Sequence, residues 1–303
     1  MMDKKNSPLV SVIMNCYNGE KYLISAIESV LSQTYKNWEI IFWDNQSTDK
    51  TAEIFNSFKD YRLKYYYAEK HTVLYEARNY ALNKCEGELI AFLDVDDFWS
   101  PEKLENQIIL MEDQQFGLSC TNYLMLNERD IDNVKTHIAY KSLPFGDVIN
   151  DIFKEYFVHI STLMVRKKAI DQLEYCFDSR FNIIGDLDFV VRLCKDWKIA
   201  SIQKPLACYR WHQTNTGNKP GFEMSDEFDI WQQDINSKFD FTKYPNFKLL
   251  VYKMRKYKVY KLLYDGKRLE AIKISQELGI RFRIKTILAT SLPRYFVRRY
   301  LYS

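Results

Sequence analysis

The chain has 303 residues, 47% hydrophobic and 16% aromatic, ample for a globular core in one large domain with an appendage or in two domains, and no apolar run approaches the ~20 residues of a membrane-spanning helix. The polar start "MMDKKNSP" leads straight into a strand-like segment without an export signal, so the six cysteines, which show no CxxC pairing, read as reduced core thiols and not as disulfides or a zinc site. The net charge of +3 hides an asymmetry: residues 248–303 hold 15 Lys and Arg against 3 Asp and Glu, a net of +12, which leaves −9 for residues 1–247 and suggests two jobs on one chain.

In chain order, "LVSVIMN" (9–15) is a short apolar run that reads as a buried strand. "GEKYLISAIESVLSQ" (19–33) follows, with Tyr22, Leu23, Ala26, Ile27, Val30 and Leu31 at helical spacing. "WEIIFWD" (38–44) is a second strand, and "STDKTAEIFNSF" a helix for which Ser47, Thr48 and Asp49 are N-cap candidates. "LKYYYA" (63–68), the helical "VLYEARNYALNK" (73–84) and the strand "ELIAFLD" (88–94) continue the alternation. This predicts an α/β fold, a mostly parallel sheet covered by helices on both faces. From about 117 to 211 the pattern is mixed, with strand-like "LSCTNYLML", "STLMVRK" and "LACYRW" around a helical "DLDFVVRLCKDW". Beyond residue 225 it is helical, and neither an internal repeat nor a low-complexity segment is present.

Ligands of open α/β sheets bind at the carboxyl ends of the strands. Three polar clusters fall there: Asn15 to Asn18, Asp44 to Asp49, and Asp94, Asp96 and Asp97 in "LDVDD". Carboxylates this close repel one another unless a cation sits between them. Hard divalent ions prefer such oxygen ligands, with substrate phosphates completing the shell. The alternative is a solvated acidic turn that caps a helix starting near Ser100 and Pro101.

Together, "VSVIMNCYNGEKYLISAIESVLSQTYKNWEIIFWDNQSTDKT", "EARN" and "CEGELIAFLDVDDFWSPEKLE" resemble the family 2 glycosyltransferases of the GT-A fold over residues 8–105. A weaker likeness runs through "GDLDFVVRL" and "YRWHQTN" to about residue 215, and the tail beyond 225 is not covered. The resemblance implies an inverting transfer of one sugar from a nucleotide-diphosphate donor, usually a UDP-sugar, to an acceptor hydroxyl, with Mn²⁺ or Mg²⁺ as cofactor. It implies that Asn15, Tyr17, Asn18 and Asp44 hold the nucleobase, that Arg78 contacts the donor, and that Asp94 meets the ribose. Asp96 becomes the metal ligand, with Asp97 behind it or acting through water. Asp186 aligns with the general base, with Asp188 as second choice. Arg210 offsets phosphate charge and His212 completes the metal shell. Three departures stand out: Asn45 and Gln46 replace a second Asp and a Gly, "KHTVLY" replaces a Gly-rich lead-in, and Gly185 replaces a Glu. His71, His137 and His159 have no motif around them and read as structural.

The expected organisation is a catalytic domain over 1–220, with a nucleotide-binding half 1–115 and an acceptor half 116–220, and a helical basic extension over 221–303. Residues 281–303 carry six basic side chains and no acid, with Ile284, Ile287, Leu288, Leu292, Tyr295, Phe296 and Leu301 between them and an interruption at Pro293. That is an amphipathic cationic segment suited to an anionic membrane surface or, alternatively, to packing on the catalytic domain with a solvated basic face; no nucleic-acid motif accompanies it. The expectation is therefore a cytoplasmic enzyme, peripheral on the inner face of the membrane, making bacterial surface polysaccharide or lipid-linked glycan. The "QxxRW" of processive members is missing, which predicts one sugar per encounter. Two rivals are a nucleotidyltransferase, which would normally carry a Gly-rich N-terminal loop, and an inactive sugar- or membrane-binding homologue, which Gly185 keeps open.

Overall fold

A computed structural model of the chain describes residues 7–128, 135–213, 215 and 223–291. β1 (Val10–Cys16), α1 (Leu23–Leu31), β2 (Trp38–Asp44), α2 (Thr51–Ser57), β3 (Leu63–Tyr67), α3 (Leu74–Leu82) and β4 (Leu89–Phe92) follow the predicted alternation. Next come β5 (Phe98–Trp99), α4 (Lys103–Met111), β6 (Phe116–Asn127), β7 (Lys135–Ile138), α5 (Ile149–Lys154), β8 (Met164–Arg166), α6 (Lys167–Asp171), α7 (Gly185–Cys194) and β9 (Lys198–Trp211). Four helices follow: α8 (Met224–Ile235), α9 (Phe247–Tyr264), α10 (Arg268–Ser275) and α11 (Ile280–Ala289). The chain divides into two compact units, Met1–Ile149 with Tyr156–Gln213, and Asn150–Glu155 with Thr214–Ser303.

The first unit is built on one sheet of order β3-β2-β1-β4-β8-β6-β9-β5, with β7 on β6. β3, β2, β1 and β4 are parallel, and all seven residues of β1 are buried, as a strand covered on both faces requires. β8 runs antiparallel to β4 and β6, while β6 and β9 pair in parallel over the longest ladder. Period-2 alternation sends Val10, Val12, Met14, Ile40 and Phe42 to a core shared with Leu23, Ala26, Ile27 and Val30 of α1. On the other side, Phe92 meets Phe177 and Phe189 edge-on at 5.7 and 6.2 Å.

The helix starts differ in part from the expectation. α2 begins at Thr51 behind Lys50, whose own side chain makes no cap; Asp49 Oδ1 accepts from Thr51 N–H at 3.0 Å and its Oδ2 from Glu20 N–H, while Ser47 Oγ accepts from Asn18 N–H. α4 is not capped by the acidic turn. Gln33, fully buried at the end of α1, accepts from Leu104 N–H at 3.0 Å and donates to Ser100 O at 2.8 Å, so a distant amide satisfies the helix terminus.

In the second unit Phe153 of α5 packs on Phe247 at 5.2 Å, and Asn246 donates its main-chain and side-chain N–H groups to the Asn150 side-chain and main-chain oxygens. A small core of Val259, Tyr260, Leu262, Leu263, Ala271, Leu278 and Ala289 holds α9, α10 and α11 together. The basic stretch along α9 is partly neutralised: Arg255 pairs with Asp229 at 2.7 Å, Lys258 with Asp226 and Asp229, and Lys261 with Asp226. α11 turns Phe282, Thr286 and Ala289 inward, while Ile280, Ile284, Ile287 and Leu288 stay exposed. Leu292, Pro293, Arg294, Tyr295, Phe296, Arg298, Arg299 and Leu301 lie outside the described residues.

Candidate active site

The carboxyl ends of β1 and β2 open into a cavity of about 500 Å³. Asn15, Tyr17, Asn45, His71, Thr72 and Asn182 are on its wall. Asn15 is 9% exposed, and neither its amide nitrogen nor its oxygen has a hydrogen-bond partner, so one donor and one acceptor are left for a ligand. The Tyr17 ring is 54% exposed, the state a stacking platform needs. His71 meets it edge-on at 4.5 Å and is fixed through Nδ1 to the Asn45 carbonyl at 2.8 Å. His71, read from the sequence as structural, holds the Asn45 carbonyl and also lines the cavity. Its signal was its place in the "KHTVLY" lead-in.

Two other residues stand differently from the expectation. Asp44 is fully buried: Oδ1 accepts from Ser47 N–H at 2.7 Å and Oδ2 from the Tyr65 hydroxyl at 2.6 Å. Both oxygens are held by the protein, and Asp44 is not among the residues that line the cavity. Asn18, at φ 55°, uses its side chain to accept from Thr48 N–H at 2.8 Å, and so ties the β1 loop to the β2 loop. Asn45 closes on Thr72, donating to its carbonyl at 2.7 Å and accepting from its N–H at 3.2 Å. This explains an amide where a second acid was expected.

Past β4, the carboxylates of Asp94, Asp96 and Asp97 lie within 4.8 Å of one another, an oxygen set that suits a hard divalent cation. Asp94 and Asp96 are partly open, and Asp97 is 1% exposed. Asp97 Oδ2 accepts from Ser161 Oγ at 2.6 Å and Oδ1 from Arg210 N–H at 3.0 Å. Burial, then repulsion from Asp96 and Asp94, pushes its carboxyl well above the usual range. Ser161 Oγ also accepts from Asp94 N–H at 3.1 Å, so one hydroxyl fixes both ends of the acidic turn. Arg78, buried on α3, donates to Asp94 Oδ1 at 2.8 Å.

Asp186, in the first turn of α7, is half-buried and is pushed up to about 6 by burial, against the pull of Arg78. A carboxylate poised there can accept a proton near neutral pH. Gly185 has a steric cause: a Cβ at that position would lie 2.6 Å from the Tyr75 ring, which occupies the space of a side chain. Asp188 points into the core, where Arg192 holds its Oδ2 at 2.7 and 2.9 Å and also donates to the Tyr175 and Cys176 carbonyls. That ion pair gives it a structural role.

His212 Nε2 lies 3.0 Å from Asp96 Oδ2, so the imidazole joins the acidic cluster. Arg210 takes another direction: Nη1 donates to Glu128 Oε1 at 2.7 Å and Nη2 to Ser25 Oγ at 3.2 Å. Its charge is balanced by Glu128 at 2.7 Å, and its Nε has no hydrogen-bond partner. Glu128, Ser161 and Tyr75 were missed in the sequence because each acts through a contact with a residue far along the chain.

Residues 11–174 match glycosyl transferase family 2. The chain is 33% identical over 169 residues to TuaG of Bacillus subtilis, named as a teichuronic acid biosynthesis glycosyltransferase, covering 55% of this chain and 66% of that one. It is 30% identical over 224 residues to the Escherichia coli UDP-Glc:alpha-D-GlcNAc-diphosphoundecaprenol beta-1,3-glucosyltransferase WfgD, covering 73% and 85%. Among solved structures, S. aureus TarS 1-349 in complex with UDP-GlcNAc superposes with a TM-score of 0.67 at 15% identity, covering 96% of this chain and 89% of that one. The mannosyltransferase PcManGT from Pyrobaculum calidifontis, in complex with GDP-Man and Mn²⁺, gives 0.61 at 15% identity, covering 99% and 86%. At this identity the two structures speak for the fold alone.

Proposed function

The chain belongs to glycosyl transferase family 2 and is a glycosyltransferase with a GT-A-like α/β fold, and from that premise we propose that it moves one sugar, with inversion, from a UDP-sugar to a hydroxyl of a lipid-linked glycan. The observation that carries this is the meeting of Asp94, Asp96 and His212, with Arg78 donating to Asp94; the charge of that arginine also acts on Asp186, the base of raised pKa. The nucleobase enters the cavity beside Asn15 and Tyr17. Asp94 takes the ribose, and Arg78 holds Asp94 in place. Asp96 and His212 would hold Mn²⁺ or Mg²⁺, which when bound neutralises the charge building on the departing diphosphate. Asp186 removes the acceptor proton as its oxygen attacks the anomeric carbon from the face opposite the leaving group. One displacement inverts that carbon.

Residues 1–220 do the catalytic work in this reading, and 221–303 attach the enzyme to the cytoplasmic membrane face. Among the described residues no helix is long and apolar enough to cross a membrane. The exposed aliphatic side chains of α11, the net charge of +12 over 248–303 and the diphosphoundecaprenol in the name of WfgD support a surface-bound enzyme acting on a lipid-linked acceptor in bacterial glycan synthesis.

The test is nucleotide release from UDP-, GDP- and TDP-sugars with a membrane lipid extract, in Mn²⁺ or in chelator, for wild type, Asp96→Asn and Asp186→Asn. Metal-dependent UDP release from one sugar, lost in both variants, is the expected result. Pyrophosphate release would mark a nucleotidyltransferase. UDP binding without turnover on any donor would mark an inactive homologue.

A further inference from the structure

Tyr22 stands immediately before α1, and its ring is stacked on the His212 imidazole, with centroids 5.1 Å apart and planes 26° apart. The Arg210 guanidinium sits over the same ring at 5.2 Å. The Tyr22 hydroxyl donates to Glu128 Oε2 at 2.9 Å, while Glu128 Oε1 holds Arg210. Lys21 Nζ donates to that hydroxyl at 2.6 Å. Tyr22 is therefore fixed at its tip by Glu128 and Lys21, and its face fixes His212. The His212 Nε2 so placed lies 3.0 Å from Asp96 Oδ2.

An imidazole free to rotate loses conformational freedom when it binds a cation, whereas one already set in plane does not. We propose that Tyr22, braced by Glu128, is a positioning residue that sets the His212 ring so that Nε2 and the Asp96 carboxylate face the same cation. This inference rests on the reading of Asp96 and His212 as metal ligands. It also accounts for the Glu128–Arg210 ion pair, since Glu128 holds both the hydroxyl of the bracing ring and the arginine packed against it. In the sequence Tyr22 reads only as an apolar position of α1, because Glu128 lies 106 residues further along the chain.

The test is Mn²⁺ affinity of the full chain in the presence of UDP, read by the electron paramagnetic resonance of free Mn²⁺, with thermal melts run alongside. Tyr22→Leu removes the stacked ring and is expected to weaken Mn²⁺ about tenfold. Tyr22→Phe keeps the ring and should lose less. Tyr22→Leu combined with His212→Ala should bind Mn²⁺ no more weakly than His212→Ala alone, because the two act through one contact. Wild-type affinity in Tyr22→Leu, or a loss that adds in full to that of His212→Ala, overturns the proposal while the metal site stands. If wild type binds no Mn²⁺, or Asp96→Asn binds it unchanged, the metal-site reading falls and the proposal with it. Should Tyr22→Leu fail to fold, Glu128→Gln carries the same test: weakened Mn²⁺ at an unchanged melting temperature supports the brace, and unchanged Mn²⁺ overturns it.

Discussion

Asp186 meets two opposed demands. Its carboxyl has a value of about 6 in the folded chain against 3.8 for a free aspartate, and burial is the main cause. As a base it must be ionised, so activity should fall as pH drops through about 6, and the acid limb of kcat/KM should disappear in Asp186→Asn together with about 10³-fold of the rate. Stability runs the other way. The folded state holds the proton more tightly than the unfolded one, so stability declines as pH rises from 3.8 to about 6 and stays lower above it. Asp186→Asn should therefore resist denaturant better at pH 7.5, by about 1–2 kcal/mol after allowing for partial exposure. Gly185→Ala should instead cost about 1–3 kcal/mol, since its Cβ would press on the Tyr75 ring, and Tyr75→Leu should relieve that cost. Asp96, Asp186 and His212 stand out as candidates in the sequence because they sit in short motifs. The Tyr75–Gly185 contact does not, because no local spacing signals a ring brought from α3 to the start of α7.

Elements were easier to read than their junctions. β1, β2 and β4 follow from apolar runs, and α1 from its period, since these patterns reflect burial that the residues themselves carry. The direction of β8 and the pairing of β6 with β9 did not follow, because strand order depends on long-range packing. Helix starts were missed for the same reason: α4 depends on Gln33, and the Asp188–Arg192 pair within α7 is completed by carbonyls of residues 175 and 176. Arg192→Leu should destabilise the chain by about 3–5 kcal/mol, leaving a buried carboxylate unpaired. Adding Asp188→Leu should restore only part of this, because the two carbonyls stay unsatisfied. Chemical denaturation of both variants checks the ordering.

At the scale of the whole molecule, the proposed function divides chemistry and membrane attachment between the acidic front and the basic tail visible in composition. α11 gives the tail an apolar component as well as a charge. Binding to anionic vesicles should weaken in 1 M salt, where the screening length is about 3 Å, yet part of the binding should survive. That remainder should fall on the order of tenfold in an Ile284→Ser, Leu288→Ser double variant. Sedimentation with vesicles separates the two contributions. If neither salt nor the double variant matters, attachment through this helix is wrong.

The loops after β1 and β2 are stitched by the chain itself: Asn18 N–H to Ser47 Oγ at 2.9 Å, Thr48 N–H to the Asn18 side chain, with Asn18 and Gln46 both at positive φ. If the donor enters as proposed, these bonds order the mouth before it arrives. Donor capture should then be a single fast phase whose rate rises linearly with concentration, with no slow loop-ordering step behind it, and affinity differences among donors should appear in how quickly they leave.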